Sequence, residues 1–372
     1  MPEFRETTLS NGLRVAAEID GRGYSAAFGY FVRAGSRDEV DRESGLSHFL
    51  EHMMFKGTER RSAADVNREL DELGGQSNAY TSEEQTVYYA TVLPKFQDRL
   101  IDLLTDMLSP TLDADEFATE RQVILEEIAK YEDQPPFGAF ERAMEVHFGP
   151  RGLGRRILGT TESIKTMEAA TMRDYFHRRY RPENIVLAAS GNIDFDSLVE
   201  QVENLTRSWS QRPKIATPDT DSIMGDEGGS RLFWELIDSG RAEVATLWPH
   251  EFMNEGAWFT YMVCAPEDAK SNRRLMDDII QSTLDNGIKP EELQQTLSKA
   301  TAGAIMQSER PSNRLFGIGS RWLTCGEYLS TDDALDCLRN ITLDDVENAA
   351  KKYLTTDATE IVAVAESPAA TA

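Results

Sequence analysis

The stretch GLSHFLEHMMFKGTERRS, residues 45–62, combines side chains that can bind a metal ion with one that can move a proton. His48 and His52 are two of only five histidines in the chain, and they stand four residues apart with Glu51 between them. On a helix, residues i and i+4 project from one face, so both imidazoles can reach one metal ion. Glu51 lies on the adjoining edge of that face, where its carboxylate can accept a proton from metal-bound water. The stretch therefore predicts metal-assisted hydrolysis.

Two explanations compete for this stretch. One is a metal site, and the other is a helix whose two histidines are partly buried and hydrogen-bonded without any ion. The residues around the pair are apolar: Phe49, Leu50, Met53 and Met54. Burying two imidazoles among such residues is costly if packing is their only role, so the pattern favours a metal ion.

A catalytic zinc ion usually binds three protein side chains and keeps a fourth position for water, so a third ligand is needed. The three cysteines are isolated and form no CxxC pair, which also argues against a disulfide framework. The remaining candidates are a carboxylate or one of three histidines: His147, His177 and His250. In ATERQVILEEIAKY the spacing places Glu120 and Glu127 on one helical face, and carboxylates repeated on an apolar face are expected to point inward.

The whole chain has the composition of a globular protein. Its 372 residues exceed the length at which one core usually stops growing, so two domains or more are expected. No apolar run approaches the roughly 20 residues that span a bilayer. The start, MPEFRETTLSNGLRV, has neither the apolar core of a signal peptide nor the Arg-rich character of a transit peptide, so we expect a cytoplasmic protein without membrane contact.

The formal net charge of −25 narrows the choice of partners. A nucleic acid would meet a repulsive field, because its phosphates carry the same sign as the protein. Basic peptides would be attracted by that field, so we expect them to be favoured as substrates. The simpler explanation is that the charge only keeps the protein soluble. The charge alone does not distinguish this explanation from a preference for basic peptides.

Around the motif the sequence predicts an α+β arrangement rather than a regular alternation of strands and helices. Strands are predicted in residues 6–20, 24–35, 78–93 and 184–191. Helices are predicted around His48 and over about 62–73, 96–108, 114–131 and 167–180. Ser62 is the expected N-cap of the second helix, because Asp65 follows three residues later.

The chain also repeats its order of elements. Residues 163–193 resemble residues 340–367 as the same helix followed by the same apolar strand, with Ile185 and Ile361 176 positions apart. We therefore predict two homologous domains joined by a Pro/Thr/Asp/Ser-rich linker. The predicted domain, linker and domain are residues 1–209, 210–222 and 223–372. The second domain is shortened at its start, where two strands and most of a helix are missing compared with the first.

Four motifs follow one another in the first half: HFLEHMMFKGT, GGQSNAYTSEEQTVYYATV, ERQVILEEI and GLGRRILGT. In this order and at about this spacing they resemble the pitrilysin/insulinase family of zinc metallopeptidases. The first motif contains HxxEH, the inverzincin signature, and the similarity is greatest to the bacterial and mitochondrial processing-peptidase-like branch. The resemblance implies an α+β fold of two domains, each a mixed, largely antiparallel sheet packed with helices. It also implies one zinc ion per chain, in the first domain.

The resemblance assigns roles residue by residue. The zinc ligands that it implies are His48, His52 and Glu127. Glu51 is then the general base, and Glu120 is a second acidic residue of the catalytic site, one heptad before Glu127. Glu126 is the rival of Glu127 as a ligand, but it lies off the face that carries Glu120, so we expect a solvated carboxylate there.

Asn78, Ala79 and Tyr80 resemble the part of the family's edge strand that holds a substrate peptide. The peptide pairs there through main-chain hydrogen bonds. Such pairing requires an extended backbone and few particular side chains. Without the family, Asn78 would be interpreted as a turn or strand-end residue. The resemblance therefore implies short or unfolded peptides as substrates.

Two features depart from the family. Its second half normally supplies an Arg and, seven residues later, a Tyr, which bind substrate and stabilise the tetrahedral intermediate. At the end of the predicted helix RLFWELIDSGRAEVATLW these places fall on Ile237 and Val244. Arg241 is the nearest cation, but Trp248 stands seven residues after it. The second departure is the shortened second domain.

Two classes of function follow from these observations. The first is a zinc endopeptidase, favoured because Glu51 and every implied ligand are present. The second is a non-catalytic or weakly active subunit of a peptidase-like assembly, which would account for the altered second half. In both cases the resemblance implies a homodimer or a heterodimer with a related chain.

Overall fold

The computed structural model describes residues 2–132, 135–209 and 230–364, which fall into two compact units. Within this part, the first unit holds the residues up to 209 together with Gln307–Leu329 and Ile361–Ala363. The second unit holds residues 230–306, Ser330–Glu360 and Val364. The predicted linker, residues 210–222, lies outside the described residues.

A six-stranded sheet forms the centre of the first unit. Its strands are β1 (Glu3–Thr8), β2 (Arg14–Ile19), β3 (Ala26–Val32), β4 (Gln76–Thr81), β5 (Thr86–Val92) and β6 (Ile185–Gly191). In space the order is β1-β2-β6-β3-β5-β4, so β1 and β4 are the two edges. In this sheet β2 and β6 run parallel, and the other neighbours are antiparallel. The α+β class expected from the sequence is confirmed.

The helices follow the predicted order. In the first half they are α1 (Leu46–Met53), α2 (Ala63–Glu72), α3 (Gln97–Met107), α4 (Ala114–Glu132), α5 (Pro135–Phe148), α6 (Thr161–Thr166), α7 (Ala169–Arg179) and α8 (Phe195–Leu205). In the second half they are α9 (Ala269–Asn286), α10 (Pro290–Ser308), α11 (Pro311–Thr324), α12 (Thr331–Arg339) and α13 (Leu343–Tyr353). Ser62 caps α2 as predicted, because it accepts the backbone N–H of Asp65 at 3.2 Å. No helix in the described part combines the length and apolar character that a membrane crossing needs.

Both faces of the sheet are covered, which is why every residue of β3 is buried. Alternate side chains of a strand point to opposite faces, so Phe28 and Tyr30 enter the larger core under the helices of the first half. Phe31 points the other way, into a smaller core with Leu315 and Ile318. These two residues belong to α11, so a helix from late in the chain completes the core of the first unit.

An ion pair and a close approach fix α11 on this sheet. Arg314 donates to both carboxylate oxygens of Glu18 on β2, through Nε at 2.9 Å and through Nη2. The hydroxyl of Tyr328 donates to the same carboxylate, which is only 6% exposed. Gly319 lies against the ring of Phe31, where a Cβ would be 2.2 Å from a ring carbon, so a glycine is required there.

Glu39 fixes the start of α1, the helix that carries the HxxEH motif. Its two carboxylate oxygens accept the backbone N–H groups of Gly45 at 2.8 Å and of Ser47 at 2.7 Å. A helix leaves the N–H groups of its first turn without partners inside the helix, so this carboxylate satisfies two of them. The hydroxyl of Ser47 also shares a 2.7 Å hydrogen bond with that of Tyr175. The helix start is therefore held from outside by buried groups.

The second unit has a small sheet of its own. Among the described residues it is a hairpin of two antiparallel strands, β7 (Val244–Phe252) and β8 (Glu255–Val263). Leu236 and Met276 lie in the apolar cluster beside it. The sheet of the first unit has six strands, compared with two strands in the described part of the second unit.

Two predictions for the second half are wrong. Ile361–Val364 do not form a strand, although they match β6 in the repeat. β6 lies between β2 and β3, whereas Ile361–Val364 pair with no strand among the described residues. The predicted helix at residues 231–248 ends at Ile237, because Gly240 turns the chain with φ +72°, and Val244 already begins β7.

Candidate metal centre

α1 and α4 bring together His48, His52 and Glu127. The two imidazole rings meet edge to face, with their centroids 4.6 Å apart. Oε2 of Glu127 lies 3.7 Å from Nε2 of His48 and 3.6 Å from Nε2 of His52. One donor atom from each side chain lies within 4.8 Å of the other two, so these residues could hold one metal ion.

The donor atoms of this group fit a zinc ion. Around a tetrahedral zinc with bonds of about 2.0–2.1 Å, neighbouring ligand atoms lie about 3.4 Å apart, which is close to the spacing seen here. Two imidazoles and one carboxylate also leave a fourth position for water, as in catalytic rather than structural zinc sites. The geometry and the donor types therefore agree.

Glu120 lies behind His52 and orients it. Its Oε1 is 2.8 Å from Nδ1 of His52, which keeps the proton on that nitrogen and leaves Nε2 free towards Glu127. The ammonium of Lys56 is 2.6 Å from the other oxygen of Glu120, which is only 3% exposed. Lys56 was not predicted to belong to the site. Its position four residues after His52 is the feature of the sequence that could have indicated it.

Burial and charge set the protonation of these groups. Burial, reinforced by the nearby His52, lowers the pKa of His48 to about 3, so this imidazole is neutral and able to bind a metal. Burial also acts to lower the pKa of His52, but the hydrogen bond and charge of Glu120 outweigh it and raise that pKa. Burial acts to raise the pKa of Glu120, but the hydrogen bonds from His52 and Lys56 outweigh it, so Glu120 is a carboxylate.

The carboxylate of Glu51 forms its hydrogen bond with a residue of β4 and not with either histidine. Its Oε2 accepts a 2.6 Å hydrogen bond from the hydroxyl of Thr81. Burial raises the pKa of Glu51, and the opposing effects of Thr81 and His52 do not cancel this rise. A carboxylate with a raised pKa accepts a proton more readily, so the position and environment of Glu51 suit a general base.

Asn78, Ala79 and Tyr80 lie in β4, the edge of the sheet next to α1. Asn78 is therefore a strand residue and not part of a turn. The backbone N–H of Ala79 donates to the side chain of Asn78 at 2.9 Å, so this N–H is turned away from β5. β4 pairs with β5 alone among the described strands, so its other edge could pair with a further strand.

The other candidate ligands lie outside the group. Glu126 is exposed beside the half-buried Glu127, as expected for a solvated carboxylate. His147 and His177 are exposed, and His250 lies in β7 of the second unit. Among the described residues, the set on α1 and α4 is the one place where three such side chains come together.

Replacing His52 with alanine should release a bound zinc ion. The change removes one of three protein ligands, so we expect the zinc affinity to fall by more than about 10². Metal content per chain, measured by mass spectrometry after dialysis, should drop from about one ion to nearly none. His177→Ala, at an exposed position of α7, is the control and should keep the metal. Stoichiometric zinc in both variants would show that the site lies elsewhere.

Two family descriptions match the chain. Residues 14–161, which include all residues of the candidate centre, match the description "Insulinase (Peptidase family M16)". Residues 166–222 and 219–299 match "Peptidase M16 inactive domain" in two pieces. The two pieces overlap at residues 219–222.

Relatives in several bacteria carry the name uncharacterized zinc protease. The one from Mycobacterium tuberculosis is 31% identical over 398 aligned residues, which cover 94% of this chain and 90% of the relative. The one from Streptomyces coelicolor is 30% identical and covers 94% and 87%.

Solved structures share the fold at low sequence identity. A protease from Helicobacter pylori superimposes with a TM-score of 0.87 at 19% identity, covering 95% of this chain and 97% of that one. A peptidase M16 inactive domain from Pseudomonas fluorescens gives 0.84 at 16% identity, covering 96% of each chain. At such identities the likeness concerns the fold alone.

Proposed function

The chain belongs to the insulinase family of peptidases, family M16, and we propose that it is a zinc-dependent endopeptidase that hydrolyses short or unfolded peptides. The observation that carries the proposal is the meeting of His48, His52 and Glu127, with the carboxylate of Glu51 on the same helix as the two histidines. This set supplies three ligands and a separate proton acceptor, which is what metal-assisted hydrolysis of a peptide requires.

Each side chain has a defined part in the proposed mechanism. His48, His52 and Glu127 would hold the zinc, which when bound polarises a carbonyl and makes a water molecule more acidic. Glu51 accepts a proton from the attacking water and later gives it to the leaving amine. Glu120 keeps the Nδ1 proton of His52 in place, so the lone pair of Nε2 stays available.

The substrate is proposed to pair with the open edge of β4. An extended peptide can add a strand there through main-chain hydrogen bonds, because β4 pairs with β5 on its other side. Such pairing requires that the segment be unfolded, but it allows many different side chains. The net charge of −25 adds a preference for basic peptides.

A weakly active or non-catalytic subunit is the second candidate. Ile237 packs against the apolar cluster of the second unit and Val244 begins β7, and neither side chain can donate a hydrogen bond to an oxyanion. Loss of one such donor typically lowers the rate by about 10² to 10³. In this case the active form would be a homodimer or a heterodimer with a related chain that supplies the missing donors.

A survey of peptide cleavage tests the proposal. The purified chain, loaded with zinc, is incubated with a mixture of unstructured peptides that includes basic and acidic versions of each sequence. We expect cleavage products by mass spectrometry, more from the basic versions, which disappear with a chelator and return when zinc is restored. Zinc bound in stoichiometric amount without any product would instead favour the subunit. Adding a related chain then tests the subunit candidate directly. Restoring a donor within this chain by Ile237→Arg is a less direct test, because it would place a charge against an apolar cluster.

A further inference from the structure

We propose that Thr81 is a positioning residue whose hydroxyl holds the carboxylate of Glu51 in the orientation that proton transfer needs. This inference rests on the proposed function, because it concerns the same general base. Thr81 is the last residue of β4, and Glu51 lies 30 residues earlier in α1. The hydrogen bond between them therefore ties the catalytic helix to the strand proposed to bind substrate.

The hydrogen bond occupies one of the two oxygens of Glu51. Thr81 donates from Oγ1 to Oε2 at 2.6 Å, which is the usual distance for a hydroxyl that donates to a carboxylate. The other oxygen, Oε1, remains to accept the proton of water. A carboxylate held at one oxygen by a fixed donor loses rotational freedom, so the second oxygen keeps a defined direction.

The surrounding groups direct the Thr81 proton to Glu51. The nearest other hydroxyl, that of the buried Thr86, lies 3.4 Å from Thr81 and donates its own proton to the carbonyl of Ala34 at 2.8 Å. A hydroxyl has a single proton, so Thr86 can only accept from Thr81. The carboxylate of Glu51, at 2.6 Å, is the nearer acceptor, and it therefore receives the proton of Thr81.

The strand that carries Thr81 is held from the opposite face of the sheet. Tyr80 points to that face, where Gln85 donates from Nε2 to its hydroxyl at 2.9 Å and to Ser320 of α11 at 3.2 Å. The ring of Phe316, also on α11, lies 6.0 Å from that of Tyr80. β4 thus cannot shift easily, and Thr81 offers its hydroxyl from a fixed place.

Three variants separate this role from simple packing. Thr81→Val removes the hydroxyl and keeps the branched shape, Thr81→Ser restores the hydroxyl, and Thr91→Val makes the same change on β5 away from Glu51. For Thr81→Val we expect kcat to fall about 10-fold to 10²-fold while KM and zinc content stay unchanged. Thr81→Ser should recover most of the rate, and Thr91→Val should behave as the parent chain.

The orientation of Glu51 in the zinc-free protein is a second measurement, and it does not depend on activity. In crystals of the zinc-free protein we expect Glu51 to keep one orientation in the parent chain and in Thr81→Ser, and to leave it in Thr81→Val. An unchanged Glu51 orientation in Thr81→Val, or an unchanged kcat, would overturn the role of Thr81. If the parent chain cleaves no peptide, the proposed function fails, and the orientation of Glu51 still decides the inference.

Discussion

Glu51→Gln leaves zinc in place and lowers the rate of peptide hydrolysis by a factor of about 10² to 10⁴. Glutamine has nearly the shape of glutamate and can still accept the hydrogen bond of Thr81, so the helix and the ligands are undisturbed. It cannot accept a proton from water, so the step assigned to the general base is lost.

Turnover of a peptide found in the cleavage survey, together with zinc content, measures both parts of this result. Glu126→Gln makes the same change at an exposed carboxylate next to Glu127 and should leave both quantities unchanged. If zinc is lost along with activity, Glu51 is a ligand and its assigned role is wrong. If activity is retained, another group takes the proton.

Arg314→Ala should lower the free energy of unfolding of the first unit by about 3–5 kcal/mol. The change leaves the carboxylate of Glu18 buried at 6% exposure, with the hydroxyl of Tyr328 as its remaining side-chain partner among the described residues. It also removes the ion pair that fixes α11 over the apolar face of the sheet. Urea denaturation followed by tryptophan fluorescence measures the loss.

Two controls distinguish an unpaired buried charge from the mere loss of an arginine. Arg22→Ala breaks an exposed ion pair with Asp20 and should cost no more than about 1 kcal/mol. Glu18→Leu combined with Arg314→Leu removes both charges and should restore much of the stability, because apolar pairs often replace buried ion pairs without cost. Equal losses in Arg314→Ala and Arg22→Ala would show that α11 is held by other contacts.

The meeting of His48 and His52 on one helical face could be predicted from the sequence because it depends only on helix geometry. His48 and His52 share a face wherever the helix lies. The third ligand could not be chosen in this way, since Glu120 and Glu127 are equally placed on their own helix. The packing of α1 against α4 puts Glu127 near both Nε2 atoms and Glu120 near Nδ1 of His52, and only the family resemblance anticipated that.

Contacts between distant elements explain what the sequence did not predict. The hydrogen bond from Thr81 to Glu51 depends on where the edge strand meets α1. The strand predicted at Ile361–Val364 failed for a similar reason. A strand needs neighbouring strands to pair with, and a local sequence pattern does not show whether they are present. Caps such as Ser62 were predicted because both partners lie within one turn of each other.

The position of α11 in the chain has a consequence for how the protein folds during synthesis. The sheet of the first unit is fully translated once β6 is made, but the helix that covers its second face follows more than a hundred residues later. At about 5–20 residues per second, Phe31 and Val186 remain uncovered for roughly 6–24 s on the ribosome. We therefore expect the nascent first half to be a client of chaperones that hold apolar surfaces, and to reach its native state only after α11 has emerged.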